Sequence, residues 1–416
     1  MKKNSIAPVI AVVLSLTGCG GSSTEQAGPK NEGQLAVPGI SSAVVYSFDL
    51  GVVDPTNGRY YVTDRTNKSI DVFDTNPVVQ FVAQFKQGFA GCNSGSPTAP
   101  TFLPTCAGAN NDMSGPDGLD IVGQNLYVGD VNALWILDKS SGAVVKKIAI
   151  PSSPTFLRAD EGCFDSDDNL YAIATPGADH PFMTFVDTNT QAVVATVVMD
   201  DASGANSAGL EACTYDHTTR KFFVNNDGST ANPRGETDGI PASAIVAAKP
   251  GPAMLTFASI AGTSVFPLGA CDPTGLALGP GTDIGVMCRQ GNVGETLTFE
   301  ILDRTSGAVV ANLNIGGGDQ IAYDSVSNRW FLADSRWTAN GKSCGGGSAT
   351  CPLTPILAVV DASQHTVVSK LPNGNNSHSV AVSGARHLVI TPFTNPTASG
   401  GGAAFPDGGI SVFSTM

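Results

Sequence analysis

Seven polar residues recur along the chain, one in each of seven similar segments, just ahead of a run that is typical of a β-strand. They are Asp49, Asp117, Glu161, Glu211, Asp272, Asp319 and His378. Acidic residues number only 36 of 416, so chance does not readily place carboxylates at six of seven equivalent positions. Carboxylates that lie close together do not all ionise unless a cation neutralises them or their pKa values rise. A hard cation such as Ca²⁺, which takes about six to eight oxygen ligands, would relieve the repulsion.

We predict that four of these residues surround Ca²⁺ or another divalent cation. The predicted ligands are Glu161, Glu211, Asp272 and Asp319, with Asn225 nearby. The alternative is that the acids accept hydrogen bonds from backbone amides at strand ends, with water between them. Both interpretations bring residues together that are far apart in the sequence, so the elements that carry them must surround a common point.

A short repeated phrase indicates how this arrangement arises. Residues 138–145 (DKSSGAVV) return as residues 303–310 (DRTSGAVV), and looser copies occur at 187–194, 361–368 and 74–79. Each copy lies between two β-rich runs, so each is the turn of a hairpin. A hairpin repeated along a chain cannot bury its own apolar faces and must stack on its copies.

The composition fits an all-β protein built from such units. Only 14% of the residues are charged, Gly 48 and Pro 26 are frequent, and long helical stretches rich in Glu, Lys and Leu are absent. One core of this length would be unusual, whereas a ring of small sheets has no such limit. The hairpins and the strands before them form seven units, at 45–85, 115–150, 158–199, 209–260, 270–315, 318–371 and 377–416.

The seventh unit is one strand short, and residues 34–40 near the N-terminus can supply that strand. Pairing of the N- and C-terminal strands would close the ring and remove its open edges. We therefore predict a seven-bladed β-propeller of four-stranded blades over residues 33–416. Residues 60–64 (YYVTD) and 69–74 (SIDVFD) resemble the YVTN-type seven-bladed β-propeller repeat, and this resemblance implies the same fold for most of residues 34–416.

In a propeller, the first strand of each blade begins and the second strand ends on one face, here named the top face. Second strands are predicted to end near Asp64, Asp130, Asn225, Arg289 and Asp334. The long segments 88–114, 226–240, 336–355 and 393–408 are predicted to open on the same face, where loops on a rigid scaffold commonly form binding sites. A small polar ligand is predicted to contact Asp49, Asp64, Asp117, Asp130, Asn225, Asp334 and Trp337, and the long loops offer a surface for a protein partner.

Residues 115–120 (GPDGLD) resemble a stretch of the calcium-dependent gluconolactonase family, and residues 271–276 (CDPTGL) resemble it more loosely. In that family, the aspartate at the position of Asp117 belongs to the metal site, which implies a calcium-dependent lactonase. The family generally has six blades and a Glu-Asn-Asn-Asp ligand set. This chain departs from both patterns.

His378, Arg289 and Glu211 are the candidates for catalysis. The strand count places His378 in the channel, where a histidine can act as a general base or bind a metal, or can simply be hydrogen-bonded. Arg289 can hold a substrate carboxylate or serve as a counter-ion to the acids. Such residues suit lactone hydrolysis or proton abstraction, which seven-bladed muconate-cyclising propellers perform.

The N-terminus resembles a bacterial lipoprotein signal peptide. Lys2 and Lys3 precede an apolar run at 6–16 that is too short to span a bilayer, and residues 16–19 (LTGC) resemble a lipobox. The resemblance implies that residues 1–18 are removed, that Cys19 is lipidated, and that residues 19–32 form a flexible tether. Because Gly20 rather than Asp follows, an outer-membrane lipoprotein that faces the periplasm or the cell surface is predicted. An ordinary signal peptide with a chance cysteine is the alternative.

The other eight cysteines are an even number in a chain predicted to be exported, which indicates disulfides. Spacing favours the local pairs Cys92–Cys106 and Cys344–Cys351. The pairs Cys163–Cys213 and Cys271–Cys288 are plausible across neighbouring strands or blades.

The charge balance narrows the choice of partner. The net charge of −14 repels phosphate backbones, so nucleic acid is not expected, whereas cations and polar ligands are. The predicted function is therefore binding of a metal ion, a small polar ligand or both by a lipid-anchored propeller. The alternative is a metal-dependent lactonase, esterase or lyase.

Overall fold

The computed structural model describes residues 28–150, 155–345, 348 and 350–416. The predicted signal peptide and Cys19 lie outside these residues. The described chain forms seven sheets of four or five strands and a separate two-stranded sheet, and the first strands of the seven larger sheets contact one another in a complete circle. The prediction of an all-β, seven-bladed propeller is confirmed.

The strands of the first four blades follow in chain order, after the N-terminal strand β1 (Asn31–Ala36). Blade 1 contains β2 (Phe48–Asp54), β3 (Arg59–Asp64), β4 (Ser69–Asp74) and β5 (Gln80–Phe85). A small hairpin, β6 (Asn93–Ser96) and β7 (Ala99–Phe102), precedes blade 2, which contains β8 (Leu119–Val122), β9 (Asn125–Asp130), β10 (Ala133–Asp138) and β11 (Val144–Ala149). Blade 3 contains β12 (Gly162–Asp165), β13 (Leu170–Thr175), β14 (Phe182–Asp187) and β15 (Ala192–Val198). Blade 4 contains β16 (Leu210–Asp216), β17 (Lys221–Asn226), β18 (Glu236–Pro241) and, after α1 (Ala242–Ala247) and β19 (Ala253–Thr256), β20 (Ser264–Pro267).

The last three blades are more regular. Blade 5 contains β21 (Pro273–Leu278), β22 (Asp283–Cys288), β23 (Thr298–Asp303) and β24 (Val309–Leu313). Blade 6 contains β25 (Ile321–Asp324), β26 (Arg329–Asp334), β27 (Ile356–Asp361) and β28 (Thr366–Pro372). Blade 7 contains β29 (Ala381–Ser383), β30 (Leu388–Phe393), β31 (Gly409–Ser414) and β1. Short 3-10 helices occupy Asn111–Met113, Phe257–Ser259 and Gly384–Arg386, and no helix in the described ranges has the length and apolar character needed to cross a bilayer.

Stacking of the blades explains the apolar runs in the sequence. Strands β13 and β14 are buried along their whole length because blade 3 packs against a neighbour on each side. The outermost strands β11 and β28 have no such cover and are largely exposed. Continuous apolar runs therefore mark the second and third strands, and mixed runs mark the fourth.

The two ends of the chain close the ring. Strand β1 pairs antiparallel with β31, with Leu35 opposite Ile410. The prediction of this closure is confirmed, although the strand lies at Asn31–Ala36 rather than at residues 34–40. The pairing covers an edge of β31 that would otherwise be open to other chains.

Blade 4 departs from the predicted unit boundaries. The prediction that it ends near residue 260 is wrong, because residues 242–263 form an insertion before β20 completes the blade. Within the insertion, β19 joins blade 3 as a fifth strand, parallel to β15. Residues 236–240, which were predicted to be part of a loop, belong to β18 instead.

All four predicted disulfides are present. They join Cys92 to Cys106, Cys163 to Cys213, Cys271 to Cys288 and Cys344 to Cys351. Cys163 and Cys213 lie on β12 and β16, so this bond links the first strands of blades 3 and 4.

The repeated phrase has a structural role on the face opposite the top. Its first residue, as in Asp303, accepts hydrogen bonds from two backbone amides of the turn. Its second residue reaches the preceding blade: Lys139 Nζ lies 2.7 Å from Asp54 Oδ2, and Arg304 Nε lies 3.1 Å from Asp216 Oδ1. These four side chains are buried. The phrase therefore both shapes a turn and links neighbouring blades.

We expect Arg304→Met to lower the free energy of unfolding by about 3 kcal/mol, because it leaves the buried Asp216 carboxylate without its cation. The matched control is Lys146→Met, since Lys146 is exposed on β11 and should change stability by less than about 0.5 kcal/mol. Urea unfolding followed by tryptophan fluorescence measures both. Equal midpoints for the two variants would contradict the proposed role of this ion pair.

Candidate functional site

A cavity of about 490 Å³ lies where the first strands of the blades begin. Five of the seven residues predicted at these positions line it: Asp49, Glu161, Glu211, Asp319 and His378. Asp160 adds a carboxylate, and four arginines also line the cavity: Arg65, Arg158, Arg289 and Arg336. The cavity therefore carries both charges, and three of its four arginines were not among the predicted site residues.

Three carboxylates from blades 3, 4 and 6 form the most compact group. Glu161, Glu211 and Asp319 each offer an oxygen that lies within 4.8 Å of the other two. Gln320 Nε2 donates a hydrogen bond to Glu161 Oε1 at 2.5 Å. Burial and the surrounding carboxylates raise the pKa of Glu161 and of Glu211 well above its ordinary value. A proton or a cation between these oxygens would reduce their mutual repulsion.

β-Bulges direct neighbouring residues into the cavity together. Successive residues of a regular strand point to opposite faces. In blade 3, the Asp160 amide donates to the backbone oxygen of Ala174, and the Ala174 amide donates to the backbone oxygen of Glu161. Asp319 and Gln320 bond to Ala333 in the same way. Two residues of the first strand thus lie opposite one residue of the second strand, and this mismatch rotates the first strand locally. Asp160 and Glu161 therefore both line the cavity.

Two glycines let the first strands approach closely at this level. A Cβ atom at Gly118 would lie 1.7 Å from the backbone oxygen of Asp160, and one at Gly275 would lie 2.1 Å from that of Asp319. These glycines belong to the segments 115–120 (GPDGLD) and 271–276 (CDPTGL). In this chain, they allow the next blade to bring its acidic residue to the cavity.

Arg65 neutralises the part of the cavity formed by blades 1 and 2. Its Nη2 lies 2.9 Å from Asp49 Oδ2, and its Nε donates to Asp117 Oδ1 at 2.6 Å. Burial alone would raise the pKa of Asp49, but Arg65 and His378 lower it below its ordinary value. Burial keeps the pKa of Asp117, which is fully enclosed, well above its ordinary value.

His378 is held on both sides of its ring. Its Nδ1 lies 2.8 Å from the Asn376 oxygen, its Nε2 lies 3.3 Å from Asp49 Oδ1, and the ring stacks on Phe48 at 4.8 Å. Both ring nitrogens are therefore engaged with oxygen atoms of the protein in this arrangement.

Asp272 is not brought to the other predicted metal ligands. Arg234 donates to its carboxylate through Nε, at 3.2 Å, and through Nη2, and the Gly291 amide donates to it at 2.5 Å. Arg234 also binds Glu295. The prediction of a four-carboxylate group is therefore corrected to a group of three, because a salt bridge turns Asp272 aside.

The remaining predicted ligand contacts lie outside the cavity lining and are already used in the structure. Asp64 accepts hydrogen bonds from Asn67, and Asp130 accepts them from Ala90 and Trp135. Burial raises the pKa of both carboxyls to about 6.

Three further predicted contacts are enclosed by protein. Asn225 binds the backbone oxygens of blade 5 and the Thr237 hydroxyl, and Trp337 packs in the core beneath Lys370. Asp334 is fully buried with no hydrogen bond to either carboxylate oxygen among the described residues, and burial raises its pKa well above its ordinary value. Asn225 therefore acts in hydrogen bonding and Trp337 in packing, and none of the three side chains lines the cavity.

Sequence reasoning missed Arg65, Arg158, Asp160 and Arg336. Asp160 directly precedes Glu161, and Arg65 directly follows Asp64, so both are next to residues that were selected. A search one residue on either side of the predicted positions would have found them. Nothing in the local sequence indicates Arg158, whose Nη2 lies 2.9 Å from Asp160 Oδ2.

Comparisons with known proteins identify the fold alone. No protein-family model and no curated protein sequence matches this chain. Similar solved structures include Kuenenia stuttgartiensis hydrazine synthase, with 11% identity, a TM-score of 0.58, and coverage of 86% of this chain and 96% of that chain. A chain of the mitotic checkpoint complex has 10% identity, a TM-score of 0.56 and 98% coverage of both chains. The Neurospora crassa Pan2 WD40 domain has 9% identity, a TM-score of 0.54 and 89% coverage of both. These structures support the β-propeller fold, whereas the resemblances to YVTN-type and gluconolactonase sequences stay predictions.

The crowded carboxylates should make stability depend on pH. Folding raises the pKa of Glu161 and Glu211 above the ordinary 4.5, so the folded protein binds more protons than the unfolded chain above that pH. Stability then falls as the pH rises through the raised pKa values. We expect Glu161→Gln/Glu211→Gln to be more stable than the wild type by about 1–3 kcal/mol at pH 8 with EDTA, and equally stable at pH 4.

Thermal unfolding at both pH values measures this difference. Glu32→Gln is the matched control, because Glu32 is exposed and should show no such effect. A double variant that is no more stable than the wild type at pH 8 would show that the carboxylates do not repel one another as inferred.

Proposed function

We propose that this chain is a propeller that binds a divalent cation of the Ca²⁺ type, together with a small polar ligand, at the cavity on its top face. The observation that carries this proposal is the convergence of Glu161, Glu211 and Asp319 from three different blades. The corresponding ligand set has three carboxylates, one fewer than the four that the sequence suggested.

Charge and chemistry both favour a cation at this group. Among the described ion pairs, Arg289 alone reaches this group: its Nη1 lies 3.6 Å from Glu211 Oε1, and its Nη2 also faces Asp227, at 3.4 Å. One shared guanidinium leaves the three carboxylates under-neutralised. Carboxylate and amide oxygens are the ligands that Ca²⁺ prefers, and the cavity of about 490 Å³ leaves room for water or ligand oxygens to complete the coordination.

Isothermal titration of EDTA-treated protein with Ca²⁺ tests the cation site. We expect one equivalent to bind, and we expect Glu161→Gln/Asp319→Asn to weaken binding by about tenfold or more because two anionic ligands are lost. Asp272→Asn is the matched control, since the Asp272 carboxylate binds Arg234 and should leave the affinity unchanged. Absence of Ca²⁺ binding to the wild type, with no effect of Mg²⁺ or Mn²⁺ on thermal stability, would refute the site.

A metal-dependent lactonase, esterase or lyase is the second candidate. It is favoured by one observation: the predicted catalytic residues His378, Arg289 and Glu211 line the same cavity as the carboxylate group. It ranks second because both nitrogens of His378 are engaged. Turnover of lactones or aryl esters that is lost in a folded His378→Ala variant would favour this candidate over binding alone.

The proposal includes export and attachment to the outer membrane through a lipid on Cys19, with the top-face loops available to a protein partner. Four disulfides support an oxidising compartment, because such bonds persist in exported proteins. A lipid on the first residue after cleavage would hold the propeller close to the membrane, with residues 19–32 as the tether.

Replacement of the lipidated residue tests the anchor. In a Gram-negative host, we expect Cys19→Ser to move the protein from the membrane fraction to the soluble periplasmic fraction, because the lipid is the predicted attachment. Cys92→Ser/Cys106→Ser, which removes a disulfide instead, should remain in the membrane fraction. Equal membrane recovery of the wild type and Cys19→Ser would exclude lipid anchoring at this residue.

A further inference from the structure

Arg336 differs from the other three arginines that line the cavity. Arg65, Arg158 and Arg289 each have carboxylate oxygens at 3.6 Å or less. The guanidinium of Arg336 has no ion pair or hydrogen bond within the described part of the chain, and its Nη1 is buried. Its guanidinium therefore lines the cavity without a partner among the described residues.

The backbone holds Arg336 in this position. Its amide donates to the Gly317 oxygen at 2.8 Å, and the next residue, Trp337, is buried in the core of blades 5 and 6. The base of the side chain is thus fixed. Burying part of a guanidinium without an acceptor costs free energy, and a ligand acceptor would recover that cost.

Arg336 and Arg289 stand at the junction of two cavities. Both residues line the cavity of about 490 Å³ and a second cavity of about 340 Å³, which is also lined by Gln290, Gly291 and Ser343. The carboxylate group lines only the first cavity. A ligand that spans the first cavity can therefore meet cationic side chains at one end and the proposed cation at the other.

We propose that Arg336, assisted by Arg289, binds a carboxylate of a small organic acid whose other oxygen atoms face Glu161, Glu211 and Asp319. The planar guanidinium matches a carboxylate through two parallel hydrogen bonds. A dicarboxylate is favoured over a phosphate dianion because it separates its two negative charges, one beside Arg336 and one beside the proposed cation, whereas phosphate places both in one group. The inference rests on the proposed function for the cation end of the ligand, but the arginine end is independent of it.

Malonate, its neutral analogue malonamide and inorganic phosphate are suitable probes. At constant ionic strength and with Ca²⁺ present, we expect the wild type to bind malonate more tightly than phosphate and not to bind malonamide. Arg336→Gln should weaken malonate binding by about tenfold or more, because a charge-assisted pair of hydrogen bonds is lost. Arg386→Gln is the matched control, since Arg386 is exposed near β29 and β30 and should bind as the wild type does.

Calorimetry with Ca²⁺ alone separates this inference from the proposed function. Arg336→Gln should keep the Ca²⁺ affinity of the wild type. If malonate binding depends on Arg336 but Ca²⁺ does not bind, the cation proposal fails and the carboxylate site stands. If Ca²⁺ binds but malonate does not, or if Arg336→Gln binds malonate as the wild type does, the carboxylate site is overturned.

Two further measurements complete the test. Tighter binding of phosphate than of malonate would overturn the choice of a carboxylate. If Arg336→Gln does not fold, as judged by near-ultraviolet circular dichroism, Arg336→Lys replaces it: this variant keeps the charge but not the two parallel hydrogen bonds, and it should still bind malonate several-fold more weakly than the wild type. Wild-type affinity in Arg336→Lys would overturn the site.

Discussion

Seven first strands contact one another in a closed circle, so the residues at their upper ends lie close together whatever charge they carry. Most of these residues are carboxylates, and the strands that position them also remove them from water. Each carboxylate must therefore gain a cationic partner, a proton or a bound cation. The rest of the site consists of different solutions to this one constraint.

In blades 1 to 3, arginine side chains neutralise the carboxylates. Arg65 forms salt bridges with Asp49 and Asp117, and Arg158 forms one with Asp160. Near blade 5, Asp272 forms a salt bridge with Arg234 and does not line the cavity. Among the described residues, the one ion pair of Glu161, Glu211 and Asp319 is the contact of Arg289 with Glu211, at 3.6 Å. Glu161, Glu211 and Asp319 therefore leave negative charge where three blades meet, and Arg336 adds a positive charge to the same cavity. The presence of both charges is the basis for the proposed small organic acid.

The two faces of the propeller have different roles: contacts on one face stabilise the ring, and the other face carries the proposed binding site. On the face opposite the top, the repeated turns carry Lys139 and Arg304 to the preceding blades, and similar sequences produce similar contacts. On the top face the connections differ in length, and they include the loop that presents Arg336. Blade 4 obeys neither pattern, because it lacks the repeated phrase and receives an insertion whose β19 pairs with blade 3. The repeat therefore predicted the regular blades well and the end of blade 4 poorly.

The sequence by itself determined the number of blades, the closure of the ring and the acidic residues at the strand starts, because hairpin turns and apolar strands are local patterns. It also contained the four cysteine pairs. Only the tertiary structure decided which carboxylates meet. A strand count predicts the position of a residue along the axis but not the direction of its side chain. β-Bulges control that direction at Asp160 and Asp319, and a salt bridge controls it at Asp272. The arginines converge for the same reason: Arg65 and Arg336 follow the ends of the second strands of blades 1 and 6, whereas Arg158 precedes the first strand of blade 3, and only the folded ring brings the three to one cavity.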